Sequence, residues 1–275
     1  MMAKSMLTIL GIVALFYAAA CAALWLWEDS LVFPRQPASA ENNRRLSDKA
    51  VSFRTTDGVT LRGWLYESAK PQTGCQLIIH YGGNAEEASE DYLETTPHLP
   101  DVPQLFVNYR GYGDSEGKPS AAALRADALL LFDEITQKLN IAPAEVCPMG
   151  YSLGSHMAAY VAANRPVGRL LMITPFDSIV NVGQRRYPIF PVRQLSRHPF
   201  DTLAEAPKIS APTLFVLAEN DTTVPQRHAL NLIEHWVSPY KTVEIAGGTH
   251  GNLVNLDAYW QALQDFIKAP LAENI

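Results

Sequence analysis

Ser152, Asp221 and His250 are the residues whose types and surroundings suit them to nucleophilic chemistry. Ser152 lies in Gly150-Tyr151-Ser152-Leu153-Gly154, a G-x-S-x-G pentad. An apolar run, Ala144 to Met149, precedes it, and a helical run, Ser155 to Ala163, follows. In that strand–turn–helix setting the turn is very tight, and residues without a side chain are needed two positions either side of the serine. The hydroxyl then projects at the turn's tip, at the positive end of a helix. A serine hydroxyl attacks only when a base takes its proton and a third group orients that base. In the G-x-S-x-G arrangement the acid and the histidine follow the serine along the chain. Pro212 to Ala218 reads as a buried strand, and the loop Glu219 to Pro225 puts Asp221 at its end. Lys241 to Ile245 alternates like a strand and runs into Ala246-Gly247-Gly248-Thr249-His250-Gly251, placing His250 on a mobile-looking Gly-rich loop.

Alternatives exist for each partner. Asp177, after the strand ending near Thr174, is a rival acid. His156 lies four residues beyond Ser152 on the same helix, where packing turns it inward. His80, His98, His198, His228 and His235 have no comparable loop setting and read as surface or hydrogen-bonded core residues. Acyl chemistry also needs two backbone N–H groups to hold an oxyanion. Leu153, after the serine, supplies one. The loop Tyr81-Gly82-Gly83-Asn84-Ala85, between a strand and a helix start, supplies the other; Asn84 is the expected donor, with Gly83 next to it.

These segments must be positioned by a sheet. Eight strands are expected, over 50–54, 60–66, 76–80, 104–108, 145–149, 169–173, 213–218 and 241–245. Helices are expected over 86–95, 121–139, 152–163, 226–235 and 256–267. Two consecutive strands followed by alternating helix and strand predict an α/β architecture: a mostly parallel eight-stranded sheet with helices on both faces. The chain has 275 residues, 48% hydrophobic and 18% charged, enough for one large core. Its net charge of −6 offers nothing to nucleic acid.

Several motifs together resemble the α/β-hydrolase superfamily, specifically its BEM46-like branch of membrane-anchored serine hydrolases. They are Leu31-Val32-Phe33-Pro34, Gly82-Gly83-Asn84-Ala85, Asn108-Tyr109-Arg110-Gly111-Tyr112-Gly113-Asp114-Ser115-Glu116-Gly117, the Gly150–Gly154 pentad, Pro175-Phe176-Asp177-Ser178, Asp221 to Pro225, and His250. One departure stands out. Where the family often has His-Gly-Asn at the oxyanion loop, Gly82 occupies the histidine's place. The resemblance implies a Ser-His-Asp hydrolase acting on a small-molecule or lipid acyl ester or thioester without a cofactor. A peptidase of the same fold and a non-catalytic scaffold are the alternatives. The family's substrates are diverse, so the substrate stays open.

Met6 to Trp27 is uncharged, overwhelmingly apolar and long enough to cross a hydrocarbon layer of about 30 Å. Lys4 precedes it and Glu28-Asp29 follow, which predicts a cytoplasmic N-terminus and a catalytic domain on the extracytoplasmic side, periplasmic in a bacterium. The tryptophans at its far end read as a retained anchor rather than a cleaved signal. The expected organisation is an anchor over 1–27, a connector over 28–48 and a catalytic domain over 49–275. Ser178 to Phe200 is expected as a small cap after the sixth strand. Either Tyr187, Ile189 and Phe190 shape an acyl pocket with Arg185, Arg186, Arg193 and Arg197 facing anionic head groups, or the segment is a solvated loop whose charges do nothing special. Cys75 and Cys147 fall near the starts of neighbouring strands. Parallel-strand spacing predicts two buried free thiols, a disulfide being the alternative. No C-x-x-C or paired-histidine pattern suggests a metal.

Overall fold

The structure, a computed structural model, describes residues 2–68 and 74–269. The remaining positions of the expected anchor and catalytic domain, 1, 69–73 and 270–275, lie outside the described residues.

All eight expected strands form: β1 (Ala50–Arg54), β2 (Thr60–Tyr66), β3 (Leu77–Tyr81), β4 (Gln104–Val107), β5 (Val146–Tyr151), β6 (Leu170–Ile173), β7 (Thr213–Ala218) and β8 (Tyr240–Ile245). Their order in the single sheet is β1-β2-β4-β3-β5-β6-β7-β8. The β1–β2 and β2–β4 pairs are antiparallel, and every later pair is parallel.

The period-two alternation of strand side chains explains how one sheet serves two cores. Leu77, Ile79, Leu170, Met172 and Phe215 face one side, among residues of α4 (Ala121–Leu139) and α5 (Leu153–Asn164). Ile78, Leu171, Ile173, Leu214 and Val216 face the other, against α9 (Asp257–Lys268) with its Tyr259, Trp260, Leu263 and Phe266. Buried on both faces, these strands read as continuous apolar runs rather than alternating ones.

The helix after β3 starts later than expected. It is α3 (Ala88–Thr95), because Glu87 caps it by accepting the Ser89 amide at 3.2 Å. Glu86 stays outside the helix and turns back to accept the Gly83 amide. β3 and β5 also run on to Tyr81 and Tyr151, since the ladder continues to the Tyr81–Gly150 pair.

Before the sheet comes α1 (Met2–Val32), a helix whose stretch from Lys4 to Val32 is long and apolar enough to cross a membrane. It continues past Trp27, and the residues after it pack into the domain. Phe33 is buried edge-on against His198 and Phe200, α2 (Ala40–Arg45) touches α3, and the Gly113 amide donates to Gln36. The segment after β6 forms α6 (Ile179–Arg186) and α7 (Val192–Leu195), and α8 (Arg227–Glu234) precedes β8.

Cys75 and Cys147 are joined in a disulfide, which corrects the expectation of free thiols. The spacing argument assumed residues inside paired strands. Cys75 precedes β3 and lies off the ladder, where Cys147 faces Ile78, and the Cα atoms are 5.9 Å apart.

Candidate active site

The site lies at the C-terminal ends of β3, β5, β7 and β8, where loops of a parallel sheet converge. Ser152 forms the turn between β5 and α5, with φ 51° and ψ −114°, a backbone conformation few side-chain-bearing residues adopt. The flanking glycines make this turn possible. A Cβ on Gly150 would lie 2.2 Å from the Gly154 carbonyl oxygen, and one on Gly154 only 1.7 Å from the Tyr81 carbonyl oxygen. The serine is further held by its amide, which donates to the Ile173 carbonyl at 2.9 Å.

Three separately encoded loops meet here. His250 Nε2 is 3.0 Å from Ser152 Oγ, and its Nδ1 is 2.7 Å from Asp221 Oδ2. With Nδ1–H donated to the carboxylate, Nε2 is left to accept the serine proton. Asp221 is itself fixed, since Oδ1 accepts the amides of Thr223 at 2.9 Å and Val224 at 2.8 Å. Its side chain is only 2% exposed, whereas that of His250 is 18% exposed and open to the cavity. The Tyr151 hydroxyl donates to the His250 carbonyl and restrains the histidine loop.

Opposite stands the loop after β3. Leu153 is the first residue of α5, where an amide has no intrahelical acceptor. Of the two candidates on the other loop, the Gly83 amide donates to Glu86. Asn84 is braced twice, its Nδ2 donating to the Val32 carbonyl at 3.2 Å and its carbonyl accepting from Tyr112 at 2.8 Å, while Tyr109 donates to the Gly82 carbonyl of the same loop at 2.8 Å. The two tyrosines come from the Tyr-Arg-Gly-Tyr-Gly segment. Its Arg110, 6% exposed, is locked by paired contacts to Asp127 at 2.7 and 2.6 Å and by Asp57 at 2.9 Å.

The rival residues are engaged elsewhere. Asp177 accepts from His228 at 3.0 Å and from Asn181 and Asn231 at 2.8 Å, tying α6 to α8. His156 is fully buried against Thr202, and burial lowers its pKa to about 3. His80 bonds Gln104, stacks on Phe106, and is likewise lowered to about 3 by burial.

A cavity of about 390 Å³ opens over Ser152. Its wall includes Glu86, Asp91 and Glu94, which sequence reasoning missed. Burial raises the Glu86 carboxyl to about 7, against the Gly83 amide and His250, which lower it. Asp91 is pushed well above the usual carboxylate range by burial and then by Glu86 and the other acids around it. The four-residue spacing of Glu86, Glu90 and Glu94 is the available sequence signal, and on a helix over 86–95 it places the three on one face. Tyr187, Ile189 and Phe190 do not line this cavity, which corrects their expected role there. Among the described residues no group of three or more His, Cys, Asp or Glu could hold a metal ion.

Residues 131–251 match the family described as Serine hydrolase (FSH1). An uncharacterised protein of Mycobacterium tuberculosis is 27% identical, covering 97% of this chain and 95% of its own length. An uncharacterised membrane protein of Saccharomyces cerevisiae is 24% identical over 94% of each chain. Among solved structures, an esterase of Pyrococcus furiosus superposes with a TM-score of 0.65 over 80% of this chain and 89% of its own, at 16% identity. The chain has the α/β-hydrolase fold. An acetyl xylan esterase from Paenibacillus gives a TM-score of 0.60 over 88% of this chain and 98% of its own, at 18% identity, a likeness of fold. Human ABHD12B is 29% identical over 65% of this chain and 54% of its own length. The segment that matches the serine hydrolase family holds Ser152, Asp221 and His250.

Proposed function

We propose that this hydrolase cleaves a carboxylic ester or thioester through an acyl-enzyme. Ser152 attacks the acyl carbonyl while His250 Nε2 takes its proton; the amides of Leu153 and Asn84 hold the oxyanion. The imidazolium is stabilised by Asp221 and returns the proton to the leaving alcohol or thiol. Water, deprotonated by His250, then releases the acid and frees the serine. The observation that carries this reading is the continuous relay from Ser152 to His250 to Asp221, at 3.0 and 2.7 Å.

Fluorophosphonate labelling of the detergent-solubilised full-length protein, with Ser152→Ala beside it, is the test. Labelling of the wild type alone is expected; equal labelling of both would mean another nucleophile, and none in either, with folding confirmed, would return weight to a scaffold. A peptidase is supported by one feature, the acidic wall of Glu86, Asp91 and Glu94, which suits an amino group. Turnover of aminoacyl amides beside simple acyl esters separates the two.

The enzyme is read as a single-pass membrane protein: an anchor over 1–27, a short connector over 28–48 and a catalytic domain from 49 onward. The charge asymmetry around α1 supports a cytoplasmic N-terminus. The Cys75–Cys147 disulfide supports an extracytoplasmic catalytic domain, because such bonds persist in oxidising compartments.

A further inference from the structure

The cap does not lie over the serine; it lies along the anchor. At its base, Glu28 accepts from the Ser196 hydroxyl at 2.8 Å and from the Arg197 side chain at 3.1 Å. Asp29 meets Arg197 and His198 at 2.6 and 2.8 Å, and the Arg197 guanidinium sits over the Trp25 ring. At its tip, far down the same helix, the Tyr17 hydroxyl donates to the Ile189 carbonyl at 2.8 Å, and the Tyr17 and Phe190 rings stack 5.8 Å apart. The cap is thus fixed to α1 at two levels.

Those levels cannot both stay outside a bilayer. Tyr17 lies near the middle of the uncharged stretch from Met6 to Trp27, which rises about 33 Å, enough for a hydrocarbon layer of about 30 Å. A span bounded by the charges of Lys4 and Glu28 contains Tyr17, which puts the tip below the surface. If Trp27 marks the interface, the depth is about 15 Å. The tip is built for this. Pro188, Ile189, Phe190 and Pro191 are apolar, and Ile189 is 72% exposed.

Backbone polar groups in lipid must be satisfied within the protein. Here the prolines have no N–H, and the Phe190 amide donates to Tyr187. The Ile189 carbonyl is taken by Tyr17, and the Phe190 carbonyl by Gln184 at 2.9 Å and by the Val192 amide. Arg185, Arg186 and Arg193, all exposed, flank the tip on α6 and α7, where their long stems can carry the charge to phosphates. Between cap and anchor runs an apolar groove of about 190 Å³ lined by Leu24, Leu31, Val32, Val182, Val192 and Leu195. The Val32 carbonyl accepts Asn84 Nδ2, so the wall of this groove is tied to the loop after β3.

We propose that the Pro188–Pro191 tip is sunk in the leaflet beside the anchor and that the groove behind it takes a lipid acyl chain. Use of the groove as a substrate path rests on the ester-hydrolase reading; immersion of the tip does not. The test is a nitroxide at Ile189→Cys in full-length protein carrying Cys21→Ala, in phosphatidylcholine nanodiscs. Phe16→Cys on the anchor and Gln137→Cys at the end of α4 serve as references. The label at 189 should match that at 16: relaxed by oxygen, with access to a nickel chelate severalfold below that at 137. Chelate access at 189 equal to that at 137, with 16 protected, would overturn the proposal. Chelate access at both 16 and 189 would overturn it together with the anchor. For the groove, phosphatidylcholine with a tail diazirine should label the 179–195 segment on irradiation; labelling confined to 5–27 would leave the acyl chain out. None of these readouts needs turnover, so a failure of the hydrolase reading is seen separately, in the fluorophosphonate experiment.

Discussion

Glu86→Gln should make the protein more stable at neutral pH, although it removes a group beside the active site. Glu86 accepts the Gly83 amide and lines the cavity, and burial raises its carboxyl from 4.5 to about 7. Between those pH values the native chain holds a proton that the unfolded chain has lost, so stability falls as pH rises through the window and levels off above it. The full rise corresponds to about 3 kcal/mol. Because the side chain faces an open cavity, solvent screening reduces this to about 1–2 kcal/mol. Glutamine keeps an oxygen for the Gly83 amide and never ionises. Asp91 titrates in both proteins, and losing the Glu86 charge makes its ionisation easier, which adds in the same direction. The assay is thermal unfolding in detergent from pH 4 to 8. The two proteins should agree near pH 4.5 and diverge to about 3–6 °C in favour of the variant above pH 7. Parallel curves across the range would refute the reasoning, because they would mean that Glu86 ionises as easily in the fold as in the open chain.

Tyr112→Phe removes the donor to the Asn84 carbonyl, a hydrogen bond worth about 1 kcal/mol. Loss of that brace should lower kcat several-fold with KM nearly unchanged; an equal rise in KM would place Tyr112 in binding instead. Gly154→Ala puts a methyl group into the Tyr81 carbonyl, 1.7 Å away, and should abolish fluorophosphonate labelling and lower Tm. Cys75→Ala/Cys147→Ala opens a loop of 72 residues, and chain entropy predicts a loss of about 4 kcal/mol, read in denaturant. A double variant as stable as the wild type would show the thiols to be unpaired.

The strands were legible because a sheet buried on both faces writes itself as apolar runs: β1, β2 and β7 have the bounds their sequences suggest. Asp221 and His250 could be placed by chain order and loop position, and the structure brings both to Ser152. Contacts between distant segments leave no such local mark. Nothing in Val32 announces that its carbonyl receives Asn84, and nothing in Phe190 announces a stack on Tyr17. The cap was assigned to the wrong neighbour for that reason. Glu86 shows the converse, a charged residue that reads as solvated until the fold closes around it.

The Cys75–Cys147 bond has a further consequence for the two amides assigned to the oxyanion. From that one covalent junction β3 runs to Asn84 and β5 runs to Leu153, side by side and in the same direction. A parallel pair held only by its ladder can slip by a whole repeat. Pinned at its origin it cannot, and the gap between the two amides becomes a property of chain length, set like the opening of tongs by the position of the rivet.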